Sequence, residues 1–240
     1  MKKRFKKISI GFISVLFFLL VAGFFLIQWK TYHPSDQARS IVQDMKVTEK
    51  DARLYFPGKK DAPVLIFYTG ALVEPQAYAY LGQGLAQKGY SVYILHSPLN
   101  LPVLNADQAK EVIQGEGLDA SKVYLGGHSL GGVMAAREAQ QGGVAGLVLL
   151  ASYPDSKVDL SRSSLKVLSL VGSQDQVLKW KSYEESKQRL PESTRYVSID
   201  GGNHADFGDY GPQEGDGKSF LTKEDAQKQI IHAIDQIMKG

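Results

Sequence analysis

The chain has no cysteine, so a lipid anchor attached through a cysteine is excluded. Absent thiols also suit an exported protein. It carries no Gly-x-Gly-x-x-Gly fingerprint, no P-loop and no His-Glu-x-x-His pair, so nucleotide and zinc chemistry have no motif behind them. There is no internal repeat, no low-complexity stretch and no second-domain boundary. Residues 1–30 contain no acid, and they hold six of the 28 basic residues. The remaining 22 basic residues face 25 acidic ones. That leaves the body without the cationic surplus needed to hold a polyphosphate, so nucleic acid is not an expected partner.

At 240 residues the chain accommodates one domain of about 200 residues and an appendage. The appendage is its beginning. Lys2, Lys3, Arg4, Lys6 and Lys7 precede an uncharged run over 8–27. As a helix that run reaches roughly 30 Å, the thickness of a bilayer's hydrocarbon core. Trp29 and Tyr32 follow where aromatic side chains favour the headgroups. The run is longer than a signal-peptide core and lacks a good small-x-small cleavage site; Val21-Ala22-Gly23 is the best on offer. The expectation is a retained signal anchor, with a cleaved export signal as the alternative. The basic flank stays cytoplasmic and the body faces outward. Residues 31–46 read as a polar, partly helical linker and 47–240 as the domain.

Along the body, apolar strands alternate with amphipathic helices. Strands are expected at 52–56, 63–68, 90–96, 122–126, 146–151, 165–171 and 195–199. Helices are expected at 77–88, 107–115, 130–141, 179–189 and 223–238. Val64-Leu65-Ile66-Phe67-Tyr68 and Leu147-Val148-Leu149-Leu150 are continuous apolar runs, as expected of strands buried on both faces of a parallel sheet. The alternation predicts crossover connections and an α/β fold, a mostly parallel central sheet flanked by helices. Ligands in such folds bind beyond the carboxyl ends of the strands.

One segment stands out against that frame: Gly126-Gly127-His128-Ser129-Leu130-Gly131-Gly132, between a strand and a helix. Gly-x-Ser-x-Gly in this context holds a serine on a sharp turn as a nucleophile. Its partners are sought beyond strand ends. Of the five histidines, His33 is in the linker, His128 is locked in the turn, His232 is in the last helix and His96 precedes the serine. Only His204 follows both the serine and the last strand. Asp175, beyond the strand at 165–171, is the acid expected beside it, with Asp155 and Asp159 as runners-up. Asp200 is too close to His204 in sequence to orient it. In this arrangement the imidazole takes the serine's proton and the carboxylate fixes the tautomer. The oxyanion donors are expected to be the backbone N–H groups of Leu130 and Ala71, the latter in Thr69-Gly70-Ala71-Leu72.

These residues, with Phe67-Tyr68-Thr69-Gly70-Ala71, the stretch 146–154, Gly201-Gly202-Asn203-His204 and Phe207-Gly208-Asp209-Tyr210-Gly211, give the chain a likeness over about 53–238. It resembles the α/β-hydrolase superfamily, and most of all the small bacterial α/β-hydrolase family five. The resemblance implies an eight-stranded core and a serine triad of Ser129, Asp175 and His204. It departs at Thr69 and Leu72, where relatives are expected to carry proline and lysine. Only about 13 residues separate Ala151 from Leu165, where many relatives insert a helical lid, so the site is expected to be open.

The expected activity is hydrolysis of carboxylic esters through an acyl-enzyme, on a small-molecule acyl substrate and without cofactor or metal. Thioesterase, amidase or acyltransferase chemistry uses the same residues, and a catalytically silent binding protein could keep the fold. Asp206, Asp209, Glu214 and Asp216 lie among glycines but fit no calcium-loop spacing. The expected role of their loop is to pack over His204 and orient it. Tyr78 and Tyr80, at the start of a helix near the oxyanion loop, read as core.

Overall fold

Runs of five apolar residues bounded by turn residues are the right length for strands and too short for helices. In the computed structural model of the protein they form the middle of one sheet. The structure describes residues 2–44, 48–50 and 52–239, apart from the side chains of 2–14 and 48–50. The strands are β1 (Thr48–Lys50), β2 (Arg53–Phe56), β3 (Val64–Tyr68), β4 (Ser91–Leu95), β5 (Val123–His128), β6 (Gly146–Leu150), β7 (Lys166–Gly172) and β8 (Arg195–Ile199). Among the described residues they form an eight-stranded sheet in the order β1-β2-β4-β3-β5-β6-β7-β8. β3 to β8 run parallel with β4, whereas β1 and β2 are antiparallel at one edge. Seven of the strands lie where the apolar pattern predicts them. β1, Thr-Glu-Lys, has no apolar pattern to announce it and exists because β2 offers it an edge.

β3 to β7 are covered on both faces, and their residues alternate between the two sides of the sheet, whereas β8, at the sheet edge, fully buries only Ile199. Leu65 and Phe67 pack with Leu81 and Leu85 of α3 (Ala79–Lys88) and Ile230 and Ile234 of α7 (Lys223–Lys239). Ile66 and Tyr68 pack with Ala109 and Val112 of α4 (Gln108–Gly115) and Met134 and Ala135 of α5 (Leu130–Ala139). Fully burying one such large side chain contributes about 1.5–3 kcal/mol. This explains why the central strands tolerate no alternation of polar residues. α6 (Trp180–Ser186) crosses from β7 to β8. The β6–β7 connection, 151–165, contains no helix, in keeping with an open site.

The chain divides into two units, Met1–Thr31 and Tyr32–Gly240. The first contains the helix α1 (Lys2–Lys30). The expected membrane span begins at residue 8, so its first seven side chains lie outside the described residues. Among the described residues no helix is long and apolar enough to cross a membrane. The second unit starts earlier than the linker reading placed it. The Tyr32 N–H donates to the Leu72 carbonyl at 2.7 Å and Tyr32 pairs with Val73. α2 (Asp36–Asp44) buries Ala38 and Ile41, three positions apart on one face. Three apolar residues, Ala38, Ile41 and Val42, in an otherwise polar nonapeptide are a weak sequence signal, and the surface they meet comes from distant parts of the chain.

Candidate active site

Ser129 closes the turn from β5 into α5 with φ 53° and ψ −121°. A non-glycine residue held there costs on the order of 1–3 kcal/mol, so the surroundings must enforce it. A Cβ on Gly127 would lie 2.3 Å from the carbonyl carbon of Gly131, and one on Gly131 would lie 2.3 Å from the Thr69 oxygen. Only glycine lets the turn close this tightly against β3. The Ser129 N–H donates to the Leu150 carbonyl at 2.9 Å, and the Ser152 hydroxyl donates to the Ser129 carbonyl at 2.6 Å. The turn is thereby bonded to β6 and to the loop that follows it. Ser152 carried no sequence signal of its own.

His204 and Asp175 come together beyond β8 and β7. His204 Nδ1 lies 2.8 Å from Asp175 Oδ2, with both side chains nearly inaccessible. Asp175 Oδ1 accepts the N–H groups of Val177 and Leu178 at 2.9 and 2.8 Å, and the Trp180 indole donates to the Asp175 carbonyl at 2.9 Å. A carboxylate only accepts, so it selects the tautomer with the proton on Nδ1 and leaves a lone pair on Nε2. Nε2 is buried without a hydrogen-bond partner. Ser129 and His204 line the same cleft, of about 220 Å³. The structure brings them to one cavity without a hydrogen bond between them; such bonds often form only in the substrate complex.

The other acids are occupied elsewhere. Asp155 accepts from Arg137 Nε at 2.7 Å and from the Lys157 N–H at 2.9 Å. Asp159 accepts the Ser161 N–H at 2.9 Å, and Asp200 meets the Ser173 hydroxyl at 3.3 Å. Among the histidines, His33 pairs with Glu74 at 2.8 Å and His232 with Gln236 at 2.9 Å. His96 is half-buried beyond β4.

In the loop after β3 the amides on either side of Ala71 are both engaged. The Gly70 N–H donates to the Tyr78 hydroxyl at 2.8 Å, and the Leu72 N–H to the Asn100 carbonyl at 2.7 Å. Between them the Ala71 N–H donates no hydrogen bond within the described residues, and neither does that of Leu130 at the first turn of α5. Both residues are partly exposed. Two unengaged donors at the carboxyl ends of adjacent strands can meet negative charge developing on a substrate oxygen.

The acidic loop beyond His204 is a brace. Asp216 accepts the Ala205 N–H at 2.9 Å and the Gln176 N–H at 3.2 Å, the residues next to His204 and Asp175. Asp206 and Asn203 cap the short helical turn that begins at His204, each side chain bonding the other's N–H at 3.0 Å. Asp209 accepts the Ser35 hydroxyl at 2.6 Å. These carboxylates serve backbone and hydroxyl donors around the imidazole, and Asp206 also pairs with the Lys223 ammonium at 3.1 Å.

Two residues touch this site that the sequence marks only as core and as part of the turn. Tyr78 and His128 are buried, with the Tyr78 hydroxyl 2.9 Å from His128 Nδ1. Burial holds the His128 imidazole well below its ordinary range; the neighbouring His204 pushes the same way, against the pull of the His204 carbonyl. Burial pushes the Tyr78 hydroxyl up. Both are therefore neutral. The His128 and His204 ring centres are 4.6 Å apart, so a neutral His128 places no like charge beside the second imidazole.

Known proteins agree with this architecture. A model of the alpha/beta hydrolase family matches residues 64–228. No curated protein sequence matches the chain. Among solved structures it is similar to a predicted CIB-like hydrolase from Thermoplasma acidophilum, with TM-score 0.61 and 14% identity over 80% of this chain and 99% of that one. It is also similar to a dienelactone hydrolase from Anabaena variabilis, with TM-score 0.59 and 16% identity over 77% and 90% of the two chains. A ferulic acid esterase from Streptomyces cinnamoneus aligns with TM-score 0.58 and 16% identity over 74% and 66%. At such identities the likeness is one of fold. With the family match running from β3 into α7, and with the small family-five motifs in place around Ser129 and His204, the chain belongs to the alpha/beta hydrolase family.

Proposed function

We propose that the protein is a serine hydrolase acting on carboxylic esters. The observation that carries this reading is the His204–Asp175 pair at 2.8 Å, which leaves an unpartnered Nε2 at the cleft that Ser129 also lines. Esterase and dienelactone hydrolase activities among proteins of the same fold are in keeping with it.

In the proposed reaction Ser129 Oγ attacks the acyl carbonyl carbon while its proton passes to His204 Nε2. Asp175 keeps the Nδ1 proton in place and stabilises the imidazolium without taking the proton. The N–H groups of Ala71 and Leu130 stabilise the oxyanion. As the carbon–oxygen bond to the leaving alcohol breaks, His204 hydrogen is transferred to that alcohol. Water then attacks the acyl-enzyme, with His204 again the base. The carboxylic acid departs and Ser129 regains its hydrogen. A fluorophosphonate tests the assignment: it labels the wild type covalently and leaves Ser129→Ala unlabelled. Equal labelling of both removes Ser129 from the chemistry.

We also infer from the sequence that 8–27 is a retained signal anchor with the domain outside the membrane. In support, Phe17, Phe18, Leu20 and Phe25 on α1 are each at least 65% exposed, an arrangement disfavoured in water. The full chain is expected to sediment with membranes after alkaline carbonate extraction and to be digested by protease added to intact cells. Release by carbonate overturns the anchor.

A further inference from the structure

We propose that Tyr78 and His128 are positioning residues that hold the two oxyanion donors in register, an inference that rests on the serine-hydrolase reading above. The donors belong to different segments: Ala71 follows β3, and Leu130 follows β5 and Ser129. One hydroxyl joins these segments. Tyr78 accepts the Gly70 N–H at 2.8 Å and lies 2.9 Å from His128 Nδ1. Gly70 immediately precedes Ala71, and His128 immediately precedes Ser129. The junction is tight, since a Cβ on Gly70 would lie 3.0 Å from His128 Nδ1 and 3.1 Å from the Tyr78 hydroxyl.

Proton counting gives the junction a direction. The arrangement that uses the hydroxyl's own proton accepts the Gly70 N–H on the phenol oxygen and donates to His128 Nδ1, so the neutral ring's single N–H proton sits on Nε2. That Nε2 is buried without a partner. The Tyr78 ring packs against Phe67 at a centroid distance of 5.1 Å, and phenylalanine would fill the same space. Burying two polar side chains where apolar ones fit is costly unless their bonds hold something. Here they hold the 69–70 peptide on one side of the Ala71 amide, while the Leu72 N–H bonded to the Asn100 carbonyl holds the 71–72 peptide on the other, and releasing the first frees the Ala71 N–H to turn. An amide that swings away no longer meets the oxyanion, although the ester still binds.

The test compares Tyr78→Phe, His128→Asn and His128→Leu with the wild type, using a short nitrophenyl ester and an alkyl boronic acid that forms a charged tetrahedral adduct. The asparagine carbonyl can accept the Tyr78 hydroxyl; leucine cannot. Tyr78→Phe and His128→Leu are expected to lose about 10- to 100-fold in kcat with KM nearly unchanged, less than the ~10²–10³ typical of removing a donor outright. Boronate affinity falls in parallel, and His128→Asn keeps most of both. Unchanged kcat and boronate affinity in a folded Tyr78→Phe overturns the proposal. So do equal losses in the two His128 variants, which decide the matter if Tyr78→Phe does not fold. Wild-type activity that survives Ser129→Ala overturns the serine-hydrolase reading itself; activity lost in Ser129→Ala but intact in Tyr78→Phe overturns the positioning role alone.

Discussion

Asp175 Oδ2 and His204 Nδ1 are 2.8 Å apart, although 29 positions separate the residues in the chain. Asparagine at 175 can no longer dictate which imidazole nitrogen carries the proton. Asp175→Asn is therefore expected to lower kcat by about 10³–10⁴-fold with little change in KM. Steady-state kinetics on a nitrophenyl ester checks this, and a loss under tenfold would remove Asp175 from the triad.

The glycines of the turn differ from those elsewhere by what surrounds them. A methyl at Gly131 meets the backbone of Thr69 and Tyr68 at 2.3–2.4 Å, whereas one at Gly115 meets nothing within 4 Å. Gly131→Ala is expected to destabilise the fold by at least about 1–3 kcal/mol. Gly115→Ala, at the end of α4, is expected to be neutral or slightly stabilising. Urea unfolding of both variants would show it, and equal midpoints would contradict the packing argument.

His128 sets a pH dependence of stability. Its native pKa is depressed by burial, so the native state keeps it neutral while the unfolded chain protonates below about pH 6.5. The unfolded state then binds more protons. Stability from this residue is complete above that pH and is lost as pH falls below it, at up to ~1.4 kcal/mol per pH unit. Between pH 7.5 and 5.5 the wild type is expected to lose roughly 1 kcal/mol more than His128→Asn. Parallel losses in the two proteins would show that His128 is not held neutral.

The cleft beside Ser129, about 220 Å³ and lined by Leu130, Val133, Val177 and Leu178, suits a short acyl chain. kcat/KM is expected to be highest for acetyl to butyryl nitrophenyl esters. Leu178→Ala is expected to raise the preference for the next longer chains by about tenfold, the scale of one or two methylenes in an apolar pocket. Rates climbing steadily to long chains in the wild type would rule out this pocket as the acyl site.

The elements were legible because burial on both faces writes itself as unbroken apolar runs, 64–68 and 146–150 above all. Ser129 was legible because its glycines have no alternative: a single methyl at Gly127 or Gly131 collides with backbone. His204 and Asp175 were found from chain order and strand ends. Tyr78 was read as core, since a buried phenol and a buried phenyl look alike until the partner of the hydroxyl is known. The linker's helical part was legible, but not the docking of α2, because the surface covering Ala38 and Ile41 comes from elsewhere in the chain.

Local covalent geometry and apolar periodicity are properties of neighbouring residues, so the sequence alone determined the strand–helix alternation, the sharp turn at Ser129 and the short list of partner residues. Hydrogen bonds between residues tens of positions apart depend on how the sheet is ordered. Only the tertiary structure decided that Asp175 rather than Asp155 meets His204. It likewise decided that the Ala71 amide stays unengaged between two bonded ones, and that one phenol joins Gly70 to His128.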